Sequence, residues 1–145
     1  VLFFFKQKRA YEMPKWLEFR RVLFRSNEWW AKERHLDDVT TMLENSDFVF
    51  GCIDKSTDQL IGFARILTDK IYKALIFDLI IAPDARNSGI GKMLMQHILA
   101  DPLISKVNHI ELYCLPELLP YYEQWGFTDQ LDNIVLLRRH KTSGQ

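Results

Sequence analysis

From position 27 onward, apolar and polar residues follow two different periods, and the switches between them mark out the elements. Over 27–46, Leu36, Val39, Met42 and Leu43 recur three and four residues apart, which predicts an amphipathic helix closed by Asn45, Ser46 and Asp47. Residues 47–54 and 59–69 are β-rich runs joined by Lys55-Ser56-Thr57-Asp58, the pattern of a hairpin. Residues 72–82 are almost continuously apolar, as expected of a central strand covered on both faces, and Pro83 closes them. From Gly89 the period returns to helical, with Ile90, Leu94 and Ile98 in one row and Met95 and Leu99 in the next, until Asp101-Pro102. Residues 107–114 read as another strand. A short helix then ends at Gly126, residues 133–140 read as a last strand, and 141–145 as a frayed tail. Pro116 and Pro120 both suit a first helical turn. The order α-β-β-β-α-β-α-β predicts an α/β (mixed α+β) domain whose mixed, mostly antiparallel sheet carries helices on both faces.

The 145 residues fit one domain with a core of its own, and 48% apolar against 26% charged is ordinary for a water-exposed protein. No apolar run nears the ~20 residues a membrane-spanning helix needs, so no membrane partner is expected. Cys52 and Cys114 lack metal-ligand spacing, no metal site is expected, and no secretory signal is visible; a reducing, cytoplasmic setting is the expectation.

Zero net charge conceals an asymmetry. Residues 1–26 hold seven Lys/Arg and two acids, which leaves twelve basic and seventeen acidic residues in 27–145, a net of −5. A basic arm would suggest nucleic acid. However, "KQKRAYE" and "LEFRRVLFRS" resemble the two ends of a translated sequencing adapter, in the expected order and with one changed residue at Arg9. On that resemblance residues 1–26 are a non-native segment that packs poorly against the rest, residues 27–145 form the single domain, and its N-terminal strand is missing or replaced. The acidic balance of 27–145 argues against a nucleic-acid partner.

The densest chemistry lies in "APDARNSGIGKML", residues 82–94. A Walker-type loop would place Gly where Arg86 stands and a hydroxyl at Met93, while a dinucleotide loop would place Gly at Leu94. What matches in full is Arg/Gln-x-x-Gly-x-Gly/Ala, carried by Arg86, Gly89 and Gly91 between a central strand and a helix. Orphan amide N–H groups of Arg86, Asn87, Ser88, Gly89, Ile90, Gly91 and Lys92 would meet an anion there, aided by the helix dipole. Glycines 89 and 91 leave room for close approach. This motif resembles the acetyl-CoA signature of the GNAT superfamily of N-acetyltransferases. "YYEQWGF", residues 121–127, resembles the same family's Tyr-Glu-x-x-Gly-Phe block, and the elements between the two blocks match in number and order. The family's Asn and Ala before that block are Leu115 and Leu118 here, a departure around Cys114 and two prolines.

The resemblance implies an acetyl-CoA-dependent N-acetyltransferase that acylates a primary amine of a small molecule or protein by direct attack in a ternary complex. A non-catalytic acyl-CoA-binding sensor of the same fold is the alternative. It further implies that backbone amides of Leu79, Ile80 and Ile81 align the thioester, and that Tyr122 protonates the departing thiolate or else only packs. A monomer or homodimer is expected. An amine of pKa ~10 must lose a proton before attack. Asp78 and Glu111 interrupt apolar strands and are the candidate bases; otherwise Asp78 is a buried acid satisfied by Arg65, Glu111 a solvated position, and water the base. His97, His109, Trp29 and Trp30 suit edge or core roles, and Cys114 a core place near the pantetheine rather than an acetylated thiol.

Overall fold

The computed structural model describes residues 1–7 and 34–142. Two compact units divide the chain, Val1–Tyr113 and Cys114–Gln145. In the first, the elements run β1 (Leu2–Gln7), α1 (Leu36–Glu44), β2 (Phe48–Asp54), β3 (Gln59–Thr68), β4 (Lys73–Ile81), α2 (Ile90–Leu99) and β5 (His109–Leu112). They form one five-stranded sheet in the order β1-β2-β3-β4-β5, antiparallel throughout except for the parallel β4–β5 pair. The mixed, mostly antiparallel sheet is the one the sequence pattern predicts.

Strand alternation sorts the side chains onto two faces. On one, α1 lays Val39 and Leu43 over Val49, Phe63 and Ile80. On the other, Ile90 of α2 meets Cys52, Ile61 and Ala82. Gly62 is where α2 comes closest to the sheet: a Cβ there would lie 3.4 Å from Leu94 Cδ2 and 3.2 Å from Ile81 Cδ1. The helix therefore seats against bare backbone, and the β4-to-α2 connection stays short.

The first helix begins at Leu36; the part of the predicted helix before residue 34 lies outside the described residues, as do Trp29 and Trp30. The predicted strand over 107–114 is shorter, His109–Leu112. Residues 1–7 do not pack poorly. Leu2 through Gln7 pair with Asp54 through Val49, and the Phe5 ring lies over Gly51, where a Cβ would sit 2.3 Å from Phe5 Cζ. Strand β2 is buried almost end to end and needs a partner on its outer edge, and the β-prone "LFFFKQ" fills it. Residues 8–26 lie outside the described residues.

The second unit is built on a 3-10 turn, Pro116–Leu118, and the short helix α3, Leu119–Glu123. Gly126 follows at φ +84°, the predicted left-handed stop. The predicted strand over 133–140 does not form. Leu131, Ile134, Val135, Leu136 and Leu137 are exposed, and no strand exists among the unit's described residues to take their backbone groups.

Asp101 ties the end of α2 to β1. Its carboxylate accepts from Lys6 Nζ at 2.7 Å and from the N–H groups of Leu103 and Ile104 at 2.9 and 3.1 Å. Burial pushes this carboxyl up, but Lys6 and the two amides outweigh it and hold it below the usual carboxylate range. Asp101→Asn is expected to cost about 1–2 kcal/mol at neutral pH. Because the folded pKa is depressed, the charge-dependent part is full above the ordinary carboxylate pKa of ~4 and fades as pH falls through the folded value. Parallel denaturant melts of both proteins from pH 7 to pH 2 check this by their convergence.

Candidate functional site

The register of β3 against β4 slips once. Gly62 faces Ile81 and Phe63 faces Ile80, but Arg65 faces Phe77, so Asp78 and Leu79 together oppose Ala64. This is a β-bulge, and Asp78 takes its left-handed position at φ +56°. Aspartate tolerates that conformation better than the β-branched and bulky residues around it.

The bulge turns the Asp78 carboxylate onto the α1 face, where its side chain is 5% exposed. Oδ2 accepts from Arg65 Nε at 2.6 Å and from Arg34 Nη1 at 2.9 Å, and Oδ1 from Arg34 Nη2 at 3.2 Å. Arg65 in turn lies flat on Phe77, its Cζ 4.5 Å from the ring centroid. Of the two roles open to Asp78 from sequence, the geometry favours the buried acid satisfied by Arg65: both oxygens are committed to guanidinium groups. Arg34 carried no signal in the sequence, since it precedes the helical period and belongs to no motif.

Strand β4 also parts from β5. Their pairing covers only Lys73 to Ile76 against His109 to Leu112. Beyond Ile76, β4 keeps β3 on one side and has no strand of this unit on the other, among the described residues. The N–H of Ala82 donates to Ile61 at 2.8 Å, so by alternation Ile81 turns its backbone groups to the unpaired edge. There the Ile81 carbonyl accepts from Arg86 Nε at 3.0 Å.

The loop that follows is exposed. A 3-10 turn, Pro83–Ala85, leads into it, and the Ser88 hydroxyl donates to the Ala85 carbonyl. Asn87 at φ +59° and Gly89 at φ +82° reverse the chain into α2. The first backbone bond of that helix runs from Met93 N–H to the Gly89 carbonyl at 3.0 Å. Among the described residues, the N–H groups of 87–92 have no protein acceptor. The first turn of α2 holds no carboxylate, and Lys92 is exposed within it. Six amides, a helix N-terminus and a cation at one exposed loop make a surface suited to an anion.

Glu111 stands half-exposed on β5 in an ion pair with Lys73, the solvated alternative. His97 stacks on Phe4 at 5.4 Å, and His109 is exposed at the start of β5. In the second unit Tyr122 is buried, its ring edge-on to Tyr121 at 5.0 Å and Phe127 at 6.1 Å. Cys114 is exposed; partial burial, with Asp129 and Glu117 nearby, pushes its thiol up and away from the reactive thiolate. Cys52 is buried, and burial followed by Asp54 pushes it to about 11. Among the described residues no group of His, Cys, Asp and Glu could hold a metal ion.

Removing the carboxylate at 78 would leave Arg65 buried without its ion pair. Asp78→Ala is expected to cost about 3 kcal/mol, and Asp78→Asn less, because asparagine keeps an acceptor and tolerates the bulge conformation. Chemical denaturation of the two variants checks the ranking.

Residues 45–129 match the family model for the acetyltransferase (GNAT) domain. The chain is 31% identical over 107 residues to a Porphyra purpurea protein named uncharacterized N-acetyltransferase ycf52, a match covering 72% of this chain and 61% of that one. It is 29% identical over 103 residues to serotonin N-acetyltransferase 2, chloroplastic, of Oryza sativa subsp. japonica, covering 70% and 52%. The chain thus spans little more than half to three fifths of these relatives' length. In fold it is similar to a GNAT family acetyltransferase from Streptococcus pneumoniae, with a TM-score of 0.72, 18% identity, and 97% and 100% of the two chains covered. It is also similar to a GNAT family acetyltransferase structure from Xanthomonas campestris pv. campestris, with a TM-score of 0.77, 23% identity, and 96% and 94% covered.

Proposed function

This chain belongs to the GNAT acetyltransferase family, and from that premise we propose that it transfers an acetyl group from acetyl-CoA to a primary amine by direct attack. The observation that carries the reading is the loop before α2, whose amides from 87 to 92 have no acceptor among the described residues and whose first helical turn lacks a carboxylate. A pyrophosphate is the anion that fits a run of such amides. Arg86 has a bracing role, since its Nε bond to the Ile81 carbonyl joins the loop to the unpaired edge of β4.

That edge would take the thioester. Ile80 and Ile81 are held in register with β3, and the backbone groups of Leu79, Ile80 and Ile81 that turn to the outer side would orient and polarise the acetyl carbonyl without reorganising. The amine nitrogen attacks the carbonyl carbon, the C–S bond breaks, and the coenzyme thiolate takes a proton. The family resemblance gives the donor role to Tyr122, since a phenol of pKa ~10 suits a thiolate. The amine gives its proton to solvent in this reading. Asp78 would stay committed to Arg65 and Arg34 and position the bulge, and Glu111 would stay paired with Lys73. The acceptor is an amine of a small molecule or protein, and two free thiols suit a reducing compartment such as the cytoplasm.

Arg86→Ala is expected to raise the KM for acetyl-CoA about tenfold, the loss of one charge-assisted bond, with a smaller effect on the acceptor KM. Tyr122→Phe is expected to lower kcat about a hundredfold if it is the acid. A change of less than twofold would leave Tyr122 a packing residue. Thiol release from acetyl-CoA against a panel of amines measures both. Tight coenzyme binding without turnover of any amine would instead identify a sensor.

A further inference from the structure

Among the described residues Arg65 spends only one of its donors. Nε goes to Asp78 at 2.6 Å, and among the described residues neither Nη atom has an acceptor. Yet the residue is only 9% exposed, and its guanidinium face is covered by Phe77. An arginine so withdrawn from water usually finds partners for its whole fork. Among the described residues the edge carrying Nη1 and Nη2 has no acceptor, and that edge matches a planar, two-oxygen anion. Arg34 presents no such edge to the site, because both of its Nη atoms are committed to Asp78.

Position adds to this. Arg65 faces Phe77 across the register, next to the bulge and at the start of the β4 stretch that has no strand on its outer side. An anion on the fork would therefore lie beside the segment to which the proposed thioester is assigned.

We propose that the Nη edge of Arg65 is a carboxylate subsite for the acceptor, so that the amine acylated here is a small amino acid rather than a simple amine or diamine. The inference rests on the acetyltransferase reading for its chemistry, but not for its binding. The carboxylate docks on Arg65 and presents the amino group of the same molecule to the thioester. Asp78 keeps the guanidinium in place through Nε and so leaves Nη1 and Nη2 to the carboxylate.

The test compares acceptors that differ only in the carboxylate: lysine against cadaverine, and ornithine against putrescine, each with acetyl-CoA. The expected result is at least a tenfold preference in kcat/KM for the carboxylate-bearing member, collapsing toward unity in Arg65→Lys, which keeps a cation beside Asp78 but loses the planar fork. Equal use of both members by the natural protein, or a preference that survives Arg65→Lys, would overturn the proposal. A second arm titrates lysine and cadaverine while following the Arg65 Nε–H resonance by NMR. A shift with lysine alone, in the absence of any turnover, would keep the subsite and reject the acetyltransferase reading. No shift with either ligand and no turnover would reject both.

Discussion

Strand β4 has to satisfy two partners and then abandon one of them, and the buried pairing of Asp78 with Arg65 and Arg34 is what lets it do so. A strand paired on both sides offers no backbone group to a ligand. By inserting one extra residue opposite Ala64, the chain turns β4 locally while its pairing to β3 resumes at Ile80. A left-handed aspartate would be costly in an apolar strand if its carboxylate were unmatched. Two guanidinium groups, one from β3 and one from just before α1, remove that cost and fix the bend from opposite sides.

The rest of the site is arranged around that bend. Past the bulge the outer edge of β4 has no strand of its unit beside it among the described residues, Arg86 returns to cap Ile81, and the loop turns through two left-handed residues into α2. Helix α2 can lie close because Gly62 leaves the sheet bare beneath Leu94. Among the described residues, amides without protein acceptors thus arise next to a strand edge with no partner in its unit, within about ten residues of sequence.

Much of this was legible in the sequence. The hairpin of β2 and β3, the apolar β4, the helical row of Ile90, Leu94 and Ile98, and the loop between Arg86 and Gly91 all announce themselves by period, glycine position or motif. The rest depends on partners that a linear pattern does not display. Asp78 in "LIFDLII" signals something unusual, but its place in a bulge between two arginines follows from the β3–β4 register. Arg34 has no local signature because its role exists only once α1 is packed. Residues 2–7 read as part of a foreign segment, yet "LFFFKQ" is β-prone and pairs along β2. Conversely, "NIVLLRRH" has strand composition, but composition without a neighbouring strand in its unit leaves it exposed.

The central claim is that the amides at the N-terminus of α2 receive the pyrophosphate of coenzyme A. An NMR titration of backbone N–H groups with coenzyme A tests it directly. The account predicts that the resonances of residues 87–92 shift most and saturate together, with those of Leu79, Ile80 and Ile81 following. Binding that leaves 87–92 unmoved while perturbing another part of the chain would contradict it.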